Sequence, residues 1–278
     1  MVLVVLAIAG SLLAVSARRT SERALEAGAA QRELQRKWGM RSIQTALLPR
    51  AEAILEEKTA EGDRPRVSAA RAITLGDMGF AIVVGDEQAK ANVNLIVALA
   101  DRERLRGSIS ILNGGRWLLP VVLRPVQEKS GEIRSPPVQY ASLEQVFAAP
   151  SPADLLGKAP DAEGPAARLT CWGNGKLNFR RAEELVLRVV LSDILDEYQM
   201  HRLCVLREEM PEASVSGILG LLELEKDKRA LLQKRVTDAS SCHSLWIVAQ
   251  GRTRNWCRLI VRQQGDEAND SGLWTFAW

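Results

Sequence analysis

Two short stretches of this 278-residue chain carry the glycine, Asx and lysine residues from which phosphate cradles are built. One is Gly85-Asp86 followed by Lys90-Ala91-Asn92-Val93-Asn94; the other is Gly173-Asn174-Gly175-Lys176-Leu177-Asn178. In each, glycine and Asx residues make a tight turn, a lysine follows, and an asparagine stands where its side chain can cap the next helix. Neither matches the G-x-x-x-x-G-K-[ST] spacing of a nucleotide loop, the glycines are too few, and no acidic metal partner accompanies them. Both therefore read as structural turns from strand to helix, with Gly173, Gly175, Lys176 and Asn178 as the motif residues of the second.

Other chemistry is equally sparse. Ser, His and Asp are present without a G-x-S-x-G elbow, an H-E-x-x-H helix or a local Cys-His signature, so no catalytic residue is assigned and no enzyme is expected. Cys171, Cys204, Cys242 and Cys257 have no C-x-x-C spacing, and with only His201 and His243 available a structural zinc site is not expected. Separate buried thiols are the plain expectation. If the chain is exported a disulfide becomes permissible, and Cys242 with Cys257, on adjacent strands, is the pair to test. Asp266, Glu267 and Asp270 offer calcium some oxygen ligands without the spacing of a known site, so a solvated turn is expected and no cofactor is assigned.

The elements that must position these residues begin with Met1 to Ala17, which carry no charge. As a helix this stretch rises roughly 25 Å, slightly short of a hydrocarbon core of about 30 Å. A retained anchor is the leading expectation. A cleaved signal competes, because Val15-Ser16-Ala17 resembles a processing site, and a buried soluble helix comes third. Arg18, Arg19 and Arg23 follow the apolar run, which conflicts with export of that side unless a basic leader precedes it. From Arg18 to Glu57, Leu25, Leu34, Trp38, Ile43, Leu47 or Leu48, and Ile54 or Leu55 recur at helical intervals. The spacing predicts an amphipathic helix continuing the anchor, weakened at Gly28 and Gly39 and broken near Pro49. Its apolar stripe must bury against its own head or another subunit.

Residues 58–71 read as a loop. Ala72 to Val84 read as a hairpin split at Gly76–Gly79, and Leu95 to Arg106 as helical. After Gly114-Gly115, Trp117 to Val122 suggest an edge strand flanked by Pro120 and Pro125. The stretch from Glu128 to Leu169 reads mainly as surface loop, with one short helix capped by Ser142. Helices are predicted over Arg181–Leu195, Tyr198–Glu209 and Val215–Leu232. The chain then ends in three strands, Leu245–Ala249, Trp256–Arg262 and Leu273–Trp278, forming an antiparallel meander whose tryptophans fill a small core. Four units result: 1–57, 58–94, 95–235 and 236–278. Lys+Arg 37 against Asp+Glu 34 leaves +3, with the two signs interspersed. That balance argues against nucleic-acid binding, including by helix-hairpin-helix turns.

Taken in order, these segments resemble the K-type minor pseudopilin of the bacterial type II secretion system. The likeness rests on the apolar helix running into an amphipathic one and on Gly85 to Asn94, similar to that family's DE-x-x-K-x-N-x-N segment. It rests also on Leu169 to Phe179 (LTCWGNGKLNF), similar to its LTVYGDGKINVN turn, and on the closing strands from Ser244 to Trp278. Family members carry a basic leader ending in glycine, which is not seen here ahead of the apolar run. They also have a larger helical insertion where 95–142 looks short. The glutamate that pilins carry at mature position five is missing from K-type members, and Val5 fits that pattern only if Met1 lies near the mature end.

The resemblance implies an α+β, pilin-like fold: a long N-terminal helix and a small antiparallel sheet with a mainly helical inserted domain. It implies an inner-membrane, single-pass chain with its head in the periplasm. Val5, Leu12, Leu13, Leu25, Leu34, Trp38 and Ile43 would then form the membrane and assembly helix. The partners would be other minor pseudopilins and the major pseudopilin in a hetero-oligomer at the pseudopilus tip, priming its assembly and helping export folded proteins. A membrane-tethered exported binding domain unrelated to pili is the alternative.

Overall fold

A computed structural model describes residues 1–57, 65–99, 102–112, 140–147, 151–157, 164–251, 255–264 and 272–278. The expected edge strand at Trp117–Val122, its Gly-Gly turn, and Asp266, Glu267 and Asp270 lie outside these residues. The chain opens with one helix, α1 (Val2–Leu47), then a 3-10 turn over Leu48–Arg50 and a short α2 (Ala51–Glu56). The break falls where Pro49, lacking a backbone donor, cannot continue the ladder. Two strands follow, β1 (Ser68–Leu75) and β2 (Met78–Asp86). The hairpin is longer at its open end than the sequence suggested. Every residue from Ser68 finds a partner in β2, and the Asp86 amide still donates to the Val67 carbonyl.

A 3-10 turn at Glu87–Ala89 leads to β3 (Ala91–Asn92), α3 (Val93–Leu99) and α4 (Arg102–Leu112). Beyond these come α5 (Pro152–Leu156), α6 (Pro165–Arg168), β4 (Leu169–Thr170), β5 (Leu177–Asn178), α7 (Glu184–Leu191), α8 (Glu197–Glu209), α9 (Val215–Leu221), α10 (Lys226–Arg235) and β6 (Val236–Thr237). The last strands are β7 (Cys242–Ala249), β8 (Trp256–Gln263) and β9 (Gly272–Ala277). Three expectations need correction here. The helix expected over Val215–Leu232 is two helices, because Leu222 turns to an extended backbone and caps α9. The helix expected over Arg181–Leu195 is shorter, confined to α7. Ser142 makes no capping bond, and only a 3-10 turn (Leu143–Gln145) follows it.

Strand order in the main sheet is β1-β2-β7-β8-β9, with every neighbour antiparallel. Residues between β2 and β7 therefore form an excursion from one sheet. Two parallel ladders that the sequence did not suggest, β3 with β4 and β5 with β6, stitch that excursion together. The central strands β2, β7 and β8 are largely buried because both faces are covered there, whereas most of β1 and β9 is exposed. Phe80, Ile82, Val84, Leu245, Ile247, Ala249 and Ile260 meet Met40, Ile43, Leu48, Ala51 and Leu55 of the helical segment. Trp246, Leu259 and Val261 on the opposite face join the core of the helical excursion, which includes Val186, Leu187, Leu191 and Leu203. Trp246 stacks on Trp278 at 5.6 Å between ring centroids, and Phe276 lies 5.6 Å from Trp172. Trp246 fills core as expected, Trp256 and Trp278 pack against it half-buried, and Trp274 stays exposed.

Gly39 is the contact point of α1 with the sheet. A Cβ there would sit 2.4 Å from Cζ of Phe80, whose ring is fully buried and has nowhere to retreat. Gly39→Ala should therefore destabilise the head by about 1–3 kcal/mol despite its better helix propensity, which is worth up to about 1 kcal/mol. Thermal unfolding of the variant beside the parent chain checks the sign.

The Cys242–Cys257 bridge, the alternative to separate buried thiols, does not fit the sheet. Cys242 pairs across the ladder with Gln263, whereas Cys257 pairs with Val248. Six residues of strand separate the two positions, roughly 20 Å at about 3.3 Å per residue, far beyond the 7 Å limit for a bridge. All four cysteines are buried thiols. Burial pushes the Cys257 thiol up to about 12 and raises Cys171 and Cys242 further, with the Glu87 charge adding to both. Such thiols are unreactive.

Candidate functional site

The two glycine-Asx turns lie against each other. Gln88 Nε2 donates to Asn174 Oδ1 at 2.5 Å, Asn92 Nδ2 donates to the Trp172 carbonyl at 2.9 Å, and Asn94 Nδ2 donates to the Cys171 carbonyl at 3.0 Å. Asn92 Oδ1 also accepts from the Asn94 and Leu95 amides, capping α3 as expected. Asn178 does something else. Its Oδ1 accepts from the Arg180 amide and its Nδ2 donates to Asp86, so it ties the turn to the sheet and does not cap α7. Gly173 and Gly175 adopt φ of 96° and 79°, the left-handed backbone that glycine enters without strain. The Lys176 side chain points into solvent, and its backbone amide donates to Asn174 Oδ1 at 3.0 Å. The arrangement is a turn-on-turn joint.

Behind the joint sits a polar knot that sequence reading missed. Asp86 ends the apolar strand β2 with a completely buried carboxylate. It accepts from the Gln88 and Ala89 amides, Ser240 Oγ, Asn178 Nδ2 and Arg181 Nη1. Arg181 in turn holds Glu52 of α2 through both guanidinium nitrogens at 2.8 Å, and Glu52 Oε2 lies 2.7 Å from His243 Nε2 on β7. Four parts of the chain thus meet in one network: α2, the end of β2, the start of β7 and the turn before α7. Burying Asp86 is tolerable only because these donors compensate it. The acidic pair Asp86-Glu87 closing the run Phe80-Ala81-Ile82-Val83-Val84-Gly85 was the available signal.

Electrostatics favour the ionised forms of Glu52 and Arg181. Burial alone would raise the Glu52 carboxyl, but hydrogen bonds from His243 and Arg181, with the Arg181 charge, take it from its ordinary 4.5 down to about 2. Burial would lower Arg181, yet Glu52 and Asp86 together raise it. A carboxylate depressed in the folded state contributes stability above its unfolded value and loses it as pH falls through the folded one. The head should accordingly lose stability between about pH 4.5 and pH 2. Glu52→Gln should flatten that part of the curve, measured as unfolding midpoint against pH. Among the described residues, no group of three or more His, Cys, Asp or Glu side chains is arranged to hold a metal ion.

The second candidate surface is α1. It is long and apolar enough to cross a membrane, and none of its most apolar 18-residue window is buried. Val5, Leu12 and Leu13 are exposed, as expected of an anchor or signal. The expected stripe divides lower down. Ile43 is buried under the sheet, but Leu25, Leu34 and Trp38 are 71%, 56% and 63% exposed. The reason is angular. Trp38 and Ile43 are five residues apart, about 140° around a helix, so they do not share a face. The chain's own head covers Gly39, Met40 and Ile43 and leaves Leu34 and Trp38 uncovered.

No protein-family model matches this chain, and no curated protein matches it. Among solved structures, it is similar to a chain in the crystal structure of the GspK-GspI-GspJ complex from the type 2 secretion system of enterotoxigenic Escherichia coli. The TM-score is 0.52 at 14% sequence identity, over 90% of this chain and 99% of the other. At that identity the likeness is one of fold. It extends across 90% of this chain and 99% of the other, so the two share an overall fold.

Proposed function

We propose that this chain is a minor pseudopilin of the K type, acting at the tip of a type II secretion pseudopilus. Its α1 roots it in the bacterial inner membrane as a single pass, and the head stands in the periplasm. There it joins other minor pseudopilins, primes assembly of the filament and contacts the major pseudopilin below. The growing filament helps move folded proteins through the outer-membrane channel. The role is non-enzymatic.

The observation that carries this reading is the whole-length fold likeness to a chain of a pseudopilin complex, on a protein whose membrane-length helix is left uncovered by its own head. The division into 1–57, 58–94, 95–235 and 236–278 follows as anchor, first half of the head, inserted helical domain and closing strands.

Deleting the gene in its host tests the proposal. Exported folded enzymes should accumulate in the periplasm, with release restored by the full chain and not by a chain lacking residues 1–17. Unimpaired release from the deletion strain would refute it.

A further inference from the structure

The main sheet ends in β1 on one side and β9 on the other, and an end strand presents backbone groups that no neighbouring strand takes. Register decides which groups those are. Cys257 and Trp278 exchange both of their backbone bonds, so by alternation the pairs Leu259 with Phe276, Val261 with Trp274 and Gln263 with Gly272 are bonded likewise. The N–H and carbonyl groups of Leu273, Thr275 and Ala277 therefore point away from β8, and all three residues are exposed. The same reasoning, from the Asp86 amide on the Val67 carbonyl, turns the groups of Ser68, Ala70, Ala72 and Thr74 outward on β1.

The two edges differ in how they are guarded. On β1, Arg71 Nη1 donates to the outward Ala70 carbonyl at 3.0 Å and Nη2 donates to Glu57 at 3.3 Å, so an ion pair lies against that edge. Such charges are what keeps an end strand from pairing. On β9, the run Gly272-Leu273-Trp274-Thr275-Phe276-Ala277 has no charge and no proline, and its six residues pair one for one with β8 without a bulge. That edge is open to another strand.

Side chains beside the open edge discriminate among strands. Ile260 is buried beneath the helical segment, so Arg258 and Arg262 share its face, next to Ala277 and Leu273 across the ladder. Both arginines are half-buried, Arg258 Nε has no acceptor, and among the described residues neither is in an ion pair. The acids that border this face are engaged elsewhere. Glu33 pairs with Lys37 and with Arg36, whose guanidinium lies over Trp256, while Glu52 and Glu56 pair with Arg181 and Glu52 also meets His243. Asp266, Glu267 and Asp270 lie outside the described residues and follow Arg262 closely, so Arg258, at the other end of β8, carries the argument. A strand added beyond β9 would run two strand spacings, about 10 Å, from β8. An arginine and a glutamate together bridge that gap over the methyl group of Ala277. A second copy joined through its own β9 would instead set its two arginines on the same face as these, like charge against like.

We infer that the β9 edge takes an extended segment of a different protein as a sixth strand, bound through the outward backbone groups of Leu273, Thr275 and Ala277, with carboxylates four residues apart facing Arg258 and Arg262. The inference stands on the sheet edge and is independent of the assembly role proposed above.

The test uses the full chain in detergent micelles and a nine-residue peptide of alternating threonine and valine with glutamate at its third and seventh positions. A second peptide carries lysine at those positions. Hydrogen exchange followed by mass spectrometry reads the segments Gly272–Trp278 and Ser68–Leu75. The glutamate peptide should slow exchange of the first segment at least fivefold and leave the second unchanged, and the lysine peptide should alter neither. Arg258→Gln should raise the concentration of glutamate peptide needed at least fivefold. Thr275→Pro should abolish the protection with the unfolding midpoint held within a few degrees, because the amide it removes takes no part in the ladder. If that variant does unfold the head, the Arg258→Gln comparison decides alone. Equal protection by both peptides, protection of β1 in place of β9, no protection by the glutamate peptide, or protection that grows with the concentration of the chain by itself would each overturn the inference.

Discussion

Arg181→Ala should cost the head about 3–5 kcal/mol, the range for removing one partner of a buried, hydrogen-bonded charge network. The Arg181 side chain is only 4% exposed and Asp86 not at all, so without the guanidinium a buried carboxylate loses its compensating charge. Glu52 would lose both of its arginine bonds and keep His243 alone. Arg181→Lys should recover only part of the loss, because an ammonium cannot reproduce the two-pronged contact with Glu52 while also reaching Asp86. Denaturant unfolding measures the change. Introducing Asp86→Asn into the Arg181→Ala background should make the combined loss smaller than the sum of the single ones, since the carboxylate that needed the guanidinium is then gone. A loss for Arg181→Ala under 1 kcal/mol would mean the knot is not a joint.

Removing residues 1–17 should have the opposite profile: a complete change in partitioning with little change in fold. The exposed apolar side chains of this segment have no partner in the head, so in water they are a burden. Carbonate extraction of membranes should leave the full chain in the pellet and release the shortened chain into the supernatant. The unfolding midpoints of the two heads should agree within a few degrees, because the cores around Phe80 and Leu187 contain nothing before Gly39. Extraction of the full chain by carbonate alone would contradict the anchor.

Periodicity made the strands and the long helix legible from sequence, and turn chemistry made the two glycine-Asx segments legible as turns. What it could not convey was how those turns face each other. Their juxtaposition depends on Gln88, Asn178 and Asp86 meeting across about ninety positions of chain, a distance over which no local pattern acts. Arg181 looked like an ordinary helix-leading charge, and only the fold brings Glu52 and His243 to it. The helical stripe divides for a simpler reason: its apolar residues recur at roughly helical intervals, yet Trp38 and Ile43 point about 140° apart. That separation distinguishes what α1 buries under its own head from what it leaves exposed. Cys242 and Cys257 were placed on adjacent strands correctly but at opposite ends of the ladder, since register is set by the β7–β8 pairing and cannot be read from sequence position.

The central claim is that a membrane-rooted helix joins this head to other pilin-like chains. Detergent extraction of native membranes, followed by gentle size separation and mass spectrometry of the fraction holding this chain, tests it most directly. The account predicts a complex in which this chain is accompanied by at least one other chain with a long apolar N-terminal helix. Recovery of the chain alone, or free in the soluble fraction with its first seventeen residues intact, would contradict it.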